Sequence, residues 1–226
     1  MPEYYQKTFK IICLSCLALC VVALGSGVGC SKGILRNRLD PGKKWTCDKD
    51  ADEAMQRQDY AAGILFHHRF LKEEPANGLA LYHLGYACGQ TENHIKEVFY
   101  YEKAIAVGFR ADYIFFNLGM AYGELNQSEK SIRAFKKALD INPGGANNHF
   151  GLAVAYQRSY ADKPAEQEFL KVIKIDPGHV DARLYLSMLY ADMGEQQKAV
   201  EQLQKILEID PSHRMAREFL KSINKE

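Results

Sequence analysis

Histidine and cysteine are among the residue types that bind metals or act as nucleophiles, and this 226-residue chain has seven histidines and six cysteines. The adjacent His67 and His68 would project about 100° apart on a helix, so they cannot form one site. The only C-x-x-C pair, Cys13 and Cys16, lies in a strongly apolar run. No H-E-x-x-H, glycine-rich phosphate loop or haem-attachment motif occurs. The sequence therefore predicts no catalytic residue, no bound metal, no cofactor and no small-molecule substrate.

The charge of the chain is almost balanced, with 29 basic and 28 acidic residues. Such a balance produces no sequence-wide positive field that would favour nucleic acid. The apolar fraction of 47% is ordinary for a globular protein. The composition therefore argues against nucleic acid as a partner.

A 34-residue unit from Asp112 to Gly145 repeats along the chain. Apolar residues at i, i+3, i+4 and i+7 predict two helices in this unit. Polar residues 126–128 separate the helices, and Pro143 ends the second one because proline lacks an amide hydrogen. The same marker residues recur at this period: Pro143, Pro177 and Pro211; Tyr122, Tyr156 and Tyr190; and Phe135 and Phe169, with Tyr101 one period earlier.

This period and these residues resemble the tetratricopeptide repeat family, with its W-x2-L-G-x2-Y…A-x3-F…P pattern. The resemblance implies an all-α fold, a right-handed α-solenoid of five helix pairs followed by a capping helix that covers the last face. It implies one domain over residues 44–226, with repeats at 44–77, 78–111, 112–145, 146–179 and 180–213 and the cap at 214–226. Cys47 and Cys88 fall on different levels of adjacent repeats, so we expect two buried, unpaired thiols.

The first two repeats depart from the family pattern. The first has Asp50 and Ala51 where leucine and glycine are usual. The second has Glu97 where alanine is usual, and Gly108 and Phe109 where a proline normally ends the repeat. Sequence drift, which is common in terminal repeats, explains these changes. The alternative is that the packing is loosened at these positions or that they contact another molecule.

The resemblance also implies where a partner binds, because the first helix of each pair lines a concave groove in this family. Apolar and aromatic residues dominate the corresponding positions, which suits a helix or an extended peptide. The alternative is that these aromatic residues only pack against the neighbouring helix. Asp48 and Asp52 stand where chaperone-binding members have a basic and amide clamp, so a C-terminal carboxylate is not the expected ligand. The positions hold Tyr82, Tyr86, Tyr113, Phe116, Met120, Phe150 and Met188, which together with Asn117 and Tyr185 beside them are here called the groove residues; the same positions also hold Leu79, Asn147, Val154 and Leu184.

The first thirty residues have the composition of a membrane-targeting segment. Lys7 and Lys10 precede an uncharged run from Ile11 to Cys30. Its end resembles the lipobox of bacterial lipoproteins, which implies lipidation at Cys30, although Gly27 stands where a branched aliphatic residue is usual. The alternative is an uncleaved anchor, because twenty residues span about 30 Å as a helix. Basic residues in the linker, residues 31–43, would then place the repeats in the cytoplasm.

Both interpretations predict a membrane-anchored protein-interaction scaffold without enzymatic activity. With a lipidated Cys30, the architecture resembles lipoproteins that assist type IV pilus secretins or outer-membrane assembly, in the periplasm-facing part of a bacterial envelope. The alternative is an accessory subunit or cytoplasmic adaptor of a membrane enzyme complex, docked through the convex face or the second repeat.

The two N-terminal alternatives predict different masses for the protein extracted from native membranes. A lipoprotein begins at Cys30 and has the added mass of its acyl chains. Intact mass spectrometry of the extracted protein measures this directly. A chain that still begins at Met1 or Pro2 would contradict lipidation and favour the uncleaved anchor.

Overall fold

The computed structural model describes residues 45, 46 and 48–223. The predicted signal or anchor, the lipidation site Cys30, the linker and Cys47 lie outside the described residues. Within them the chain is all-α, with eleven helices and no strand. Their bounds are α1 Lys49–Gln56, α2 Tyr60–Glu73, α3 Gly78–Gln90, α4 His94–Ala106, α5 Asp112–Glu124, α6 Ser128–Ile141, α7 Ala146–Arg158, α8 Asp162–Ile175, α9 Val180–Asp192, α10 Gln196–Ile209 and α11 Arg214–Ile223.

The helices form a solenoid, as the sequence predicts. Helices α1 to α10 make five pairs, one in each predicted repeat, and each helix packs against its neighbours in the chain. Helix α11 packs on α10 through a cluster that includes Leu203, Ile206 and Ala216, so it covers the last repeat as the predicted cap. The first helices α3, α5, α7 and α9 also contact one another in order.

The turn inside each helix pair uses the same backbone conformation at the same repeat position. The residue there has a positive φ in all five repeats, although only the last is glycine. The left-handed region is unfavourable for other residue types, and asparagine tolerates it best. The turn geometry is therefore a property of the repeat. The five residues are Gln58, Glu92, Asn126, Tyr160 and Gly194.

Each of the second, third and fourth repeats has one large aromatic side chain from its second helix at its centre. Tyr101, Phe135 and Phe169 occur at the same repeat position and are fully or almost fully buried. Glycines on the first helices make room for Tyr101 and Phe135. A Cβ added at Gly151 would lie 2.3 Å from the ring of Phe135, and one added at Gly119 would lie 2.9 Å from the same ring.

The second repeat is well packed where its missing proline suggested loosened packing. Phe109 is only 3% exposed and stacks on Tyr82 with ring centroids 5.7 Å apart. Its other side meets the half-buried Trp45 edge-on at 6.0 Å. The alternative of loosened packing at Phe109 is therefore wrong, because a large ring fills the space at the end of the repeat.

Two further features bear on the sequence-based predictions. Cys88 is buried and has no disulfide, as predicted. Within residues 45–46 and 48–223, no helix combines the length and apolar character needed to cross a membrane.

The close approach of helices at Gly151 predicts a specific loss of stability for Gly151→Ala. The added methyl group meets the ring of Phe135, and such overpacking typically costs about 1–3 kcal/mol. The higher helix propensity of alanine offsets at most about 1 kcal/mol of this cost. Urea unfolding followed by circular dichroism should show a lower midpoint than wild type.

Gly123→Ala is the matched control because a Cβ there meets its nearest atom at an ordinary 3.7 Å. Its unfolding midpoint should not fall. An equal effect of the two substitutions would contradict the role given to the contact between Gly151 and Phe135.

Candidate functional site

The first helices line the inner side of the curved stack. Helix α3 contacts α5, α5 contacts α7, and α7 contacts α9, although a second helix separates each of these pairs in the sequence. A stack whose first helices touch in this way bends toward them. Side chains at equivalent positions of α3 and α5 therefore form one continuous surface.

The second and third repeats bring three of the groove residues into direct contact. The rings of Tyr82 and Tyr113 meet edge-on with centroids 5.0 Å apart. The Asn117 side-chain amide donates a hydrogen bond of 3.1 Å to the Tyr82 hydroxyl. Phe109 packs against both rings, with its ring centroid 5.7 Å from that of Tyr82 and 6.0 Å from that of Tyr113. These contacts fix the side chains in place while each of the three groove residues stays half exposed.

Two further groove residues extend this surface along α5. Phe116 meets the buried ring of Phe135 edge-on at 5.6 Å, and Met120 packs against the same cluster. Both stay half-buried, so part of each side chain faces outward. The half-exposed groove residues are thus Tyr82, Tyr113, Phe116, Asn117 and Met120, here called the central strip.

The other four groove residues are mostly used in packing between helices. Phe150 and Tyr185 face each other edge-on at 5.5 Å, and each is less than a tenth exposed. Tyr86 is 8% exposed and meets Tyr60 at 6.3 Å. Met188 is 8% exposed in the cluster beneath the capping helix. These four side chains offer a partner much less surface than the central strip does.

Glu97 is buried together with a histidine that sequence reasoning did not connect to it. His94 Nδ1 lies 2.8 Å from a carboxylate oxygen of Glu97, one helical turn away. The hydrogen bond to Glu97 raises the pKa of His94, and burial raises the pKa of Glu97. Glu97 is therefore hydrogen-bonded within its own helix, which contradicts the alternative of loosened packing at this position. The i, i+3 spacing of the two residues was the available signal.

The three histidines near repeat starts have structural partners. His149 contacts Glu168 at 2.6 Å through Nδ1 and the Pro143 carbonyl oxygen at 3.0 Å through Nε2. The Nδ1 atoms of His179 and His213 accept hydrogen bonds from the first turns of α9 and α11. These contacts hold helix ends and repeat junctions together.

Burial raises the pKa of the Cys88 thiol, so this residue is in its unreactive form at neutral pH.

Among residues 45–46 and 48–223, one group of potential metal ligands comes together: Asp52, His67 and His83, whose ligand atoms lie within 4.8 Å of one another. No sequence spacing indicates this group, because its members belong to three different helices.

Family models described as tetratricopeptide repeat match residues 79–107, 113–144 and 180–213. These segments are tetratricopeptide repeats. They coincide with the second, third and fifth predicted repeats, and the helix pairs at 49–73 and 146–175 continue the same architecture. None of the matching models describes a catalytic family, and no curated protein matches the sequence.

Solved structures share the fold at low sequence identity. YrrB, a tetratricopeptide repeat protein with an unusual peptide-binding site, has 23% identity and a TM-score of 0.69, over 76% of this chain and 88% of that one. MamA has 20% identity and a TM-score of 0.71, over 75% and 99%. A thermophilic tetratricopeptide repeat protein of Thermus thermophilus, TTC0263, has 22% identity and a TM-score of 0.59, over 78% and 96%. Tetratricopeptide repeats form extended concave surfaces that bind proteins or peptides.

The contact between His94 and Glu97 predicts how stability depends on pH. A histidine whose pKa is raised in the folded state stabilises the fold below its unfolded pKa of about 6.5. This contribution is lost as the pH rises through the raised folded value. Between pH 6 and pH 8, the urea midpoint of the wild type should therefore fall more than that of the double variant His94→Gln with Glu97→Gln, which also removes the raised pKa of the buried Glu97. Parallel pH dependence in the two proteins would show that the contact contributes nothing to stability.

Proposed function

We propose that this protein is an interaction scaffold that binds a helical or extended segment of a partner protein along the central strip. The observation that supports this is the strip itself, in which aromatic, amide and thioether side chains of adjacent first helices remain half exposed while their inner sides are packed. Tyrosine and phenylalanine held in fixed positions provide apolar contact area at a low entropic cost.

The chemistry of the strip indicates what kind of segment fits it. Phe116 and Met120 lie one turn apart on α5 and present apolar surface. Tyr82, Tyr113 and Asn117 add one amide and two phenol groups next to it. A partner with apolar anchors on one face of a helix, or at alternate positions of an extended chain, would bury those anchors here. The amide oxygen of Asn117 is suited to accept a hydrogen bond from such a segment.

The same proposal includes attachment to a membrane through the N-terminus. It rests on Lys7 and Lys10, the apolar run that follows them, and the lipobox-like end at Cys30. A lipidated Cys30 would make this an envelope protein, with pilus, secretin or outer-membrane assembly as the leading context by its resemblance to other repeat lipoproteins. An uncleaved anchor with a basic flank would make it a cytoplasmic adaptor.

An exposed apolar patch on the second helices favours a second candidate function, docking through the convex face. Leu65 is 66% exposed, Ile95 73% and Phe99 48%. Leu65 and Phe99 share one repeat position, where the later repeats have Arg133, Gln167 and Glu201. The position of Ile95 is occupied by Glu129, Lys163 and Gln197 in those repeats. This local change from polar to apolar suits an accessory subunit that packs against a larger complex.

A pair of matched double variants distinguishes the two surfaces. Phe116→Ala with Met120→Asp removes a ring and adds a charge in the central strip. Ile95→Asp with Phe99→Ala makes the same kinds of change on the convex patch. We expect the strip variant to bind the partner at least about 30-fold more weakly, since a central anchor is worth about 2 kcal/mol or more.

The measurement is the affinity for a partner first identified by photocrosslinking from position 120 in intact cells. Circular dichroism must show that both variants keep their helicity. Unchanged affinity of the folded strip variant would refute the groove, and loss confined to the convex variant would establish the second function instead.

A further inference from the structure

The joint between the first and second repeats contains two histidines at the positions that hold a phenylalanine and a glycine at the third joint. His67 on α2 occupies the repeat position of Tyr101, Phe135 and Phe169. His83 on α3 occupies the position of Gly151, against which the ring of Phe135 packs at the third joint. At the first joint the rings of His67 and His83 therefore face each other, with centroids 5.0 Å apart.

Asp52 of α1 completes this group from a third helix. One of its carboxylate oxygens lies 3.4 Å from Nδ1 of His83. Each of Asp52, His67 and His83 offers one ligand atom, and these three atoms all lie within 4.8 Å of one another. Three successive helices thus direct two imidazoles and one carboxylate to a common point.

His67 is fully buried, yet neither of its ring nitrogens has a hydrogen-bond partner among the described residues. A buried polar group without a partner is rare in folded proteins and calls for an explanation. A neutral imidazole nitrogen with a free lone pair is the form that binds a metal ion.

We propose that Asp52, His67 and His83 bind a divalent transition-metal ion, with Zn²⁺ as the ion that this donor set fits best. Two imidazoles and a carboxylate are common Zn²⁺ ligands at about 2.0–2.2 Å. Two ligands at that distance from a tetrahedral ion lie about 3.3–3.4 Å apart. Asp52 and His83 already have this separation, and His67 reaches it by a modest approach of its ring.

Three protein ligands leave one coordination position for water. The side chains of Asp52 and His83 keep 11% and 21% of their surface exposed, while the ligand atoms that face each other are buried. Other polar side chains lie near these three ligands but are not part of the proposed coordination. Asp48 caps α1 and lies 4.0 Å from Arg69, and the exposed His68 contacts the Tyr100 hydroxyl at 3.2 Å.

The bound ion would replace the hydrophobic contact that the first repeat lacks. Helix α1 has only eight residues, and its buried members are Ala51, Asp52 and Ala54. Helix α2 buries Gly63 and His67. A metal that links α1, α2 and α3 would hold this small terminal repeat against the second one, because binding to the folded form alone stabilises it. This role is separate from partner binding on the central strip.

The test uses the full-length protein, purified without a histidine tag, stripped with EDTA and titrated with Zn²⁺ by calorimetry. Two substitutions remove ligands by installing residues that other repeats have at those positions: His67→Phe and Asp52→Val. His68→Gln is the matched control, since it removes an adjacent histidine outside the proposed set. Visible absorption after loading with Co²⁺ reports the coordination directly.

We expect one Zn²⁺ per chain, a higher Tm with Zn²⁺ than with EDTA, and binding weakened by well over tenfold in both ligand variants. His68→Gln should bind as the wild type does. Circular dichroism checks that the variants are folded, and His67→Phe is expected to fold because Phe135 and Phe169 occupy the equivalent positions. Absence of saturable binding would overturn the proposal, as would binding that survives either ligand substitution or is lost in His68→Gln.

Discussion

The structure depends on one kind of contact, the packing of a large ring from a second helix against the bare backbone of a first helix. Phe135 shows it most clearly, because its ring lies against Gly119 in its own repeat and Gly151 in the next. Tyr101 packs in the same way on Gly85. One side chain therefore sets both the spacing within a repeat and the spacing between repeats. In a solenoid, where stability is a sum of neighbour terms, such a contact determines the geometry of the whole stack.

The same contact positions the candidate binding surface. Gly119 faces Phe135 from one side of α5, and Phe116 and Met120 project from the adjoining face toward the groove. Their direction follows from the helix spacing that the ring imposes. Fixed side chains lose less entropy when a partner arrives, so a surface built on a packed core binds better than a flexible one of equal area. The hydrogen bond from Asn117 to Tyr82 adds the same restraint between repeats.

The fold could be predicted from sequence because its period is local and strict. Pro143 and the polar break at 126–128 mark helix ends that the structure reproduces, with α6 ending at Ile141. The exposure of the candidate groove could not be read in the same way. Phe150 and Phe116 share a repeat position, but Phe150 meets Tyr185 of the next repeat and is buried, whereas Phe116 stays half exposed. Exposure depends on the neighbouring helix, and no periodic pattern contains that information.

Charged and polar departures from the repeat pattern are harder still to interpret from sequence. Glu97 departs from the alanine usual at its position, yet its carboxylate is hydrogen-bonded to His94, one helical turn away. His67 looked like a core residue and is one, but its meaning depends on Asp52 and His83 from two other helices. Because these three polar residues lie at the terminal joint, the attachment of the first repeat depends less on hydrophobic burial than the third joint does, where Phe135 packs on Gly151. In a stack held by neighbour contacts, this joint can open while the second and third repeats, which form the central strip, remain folded.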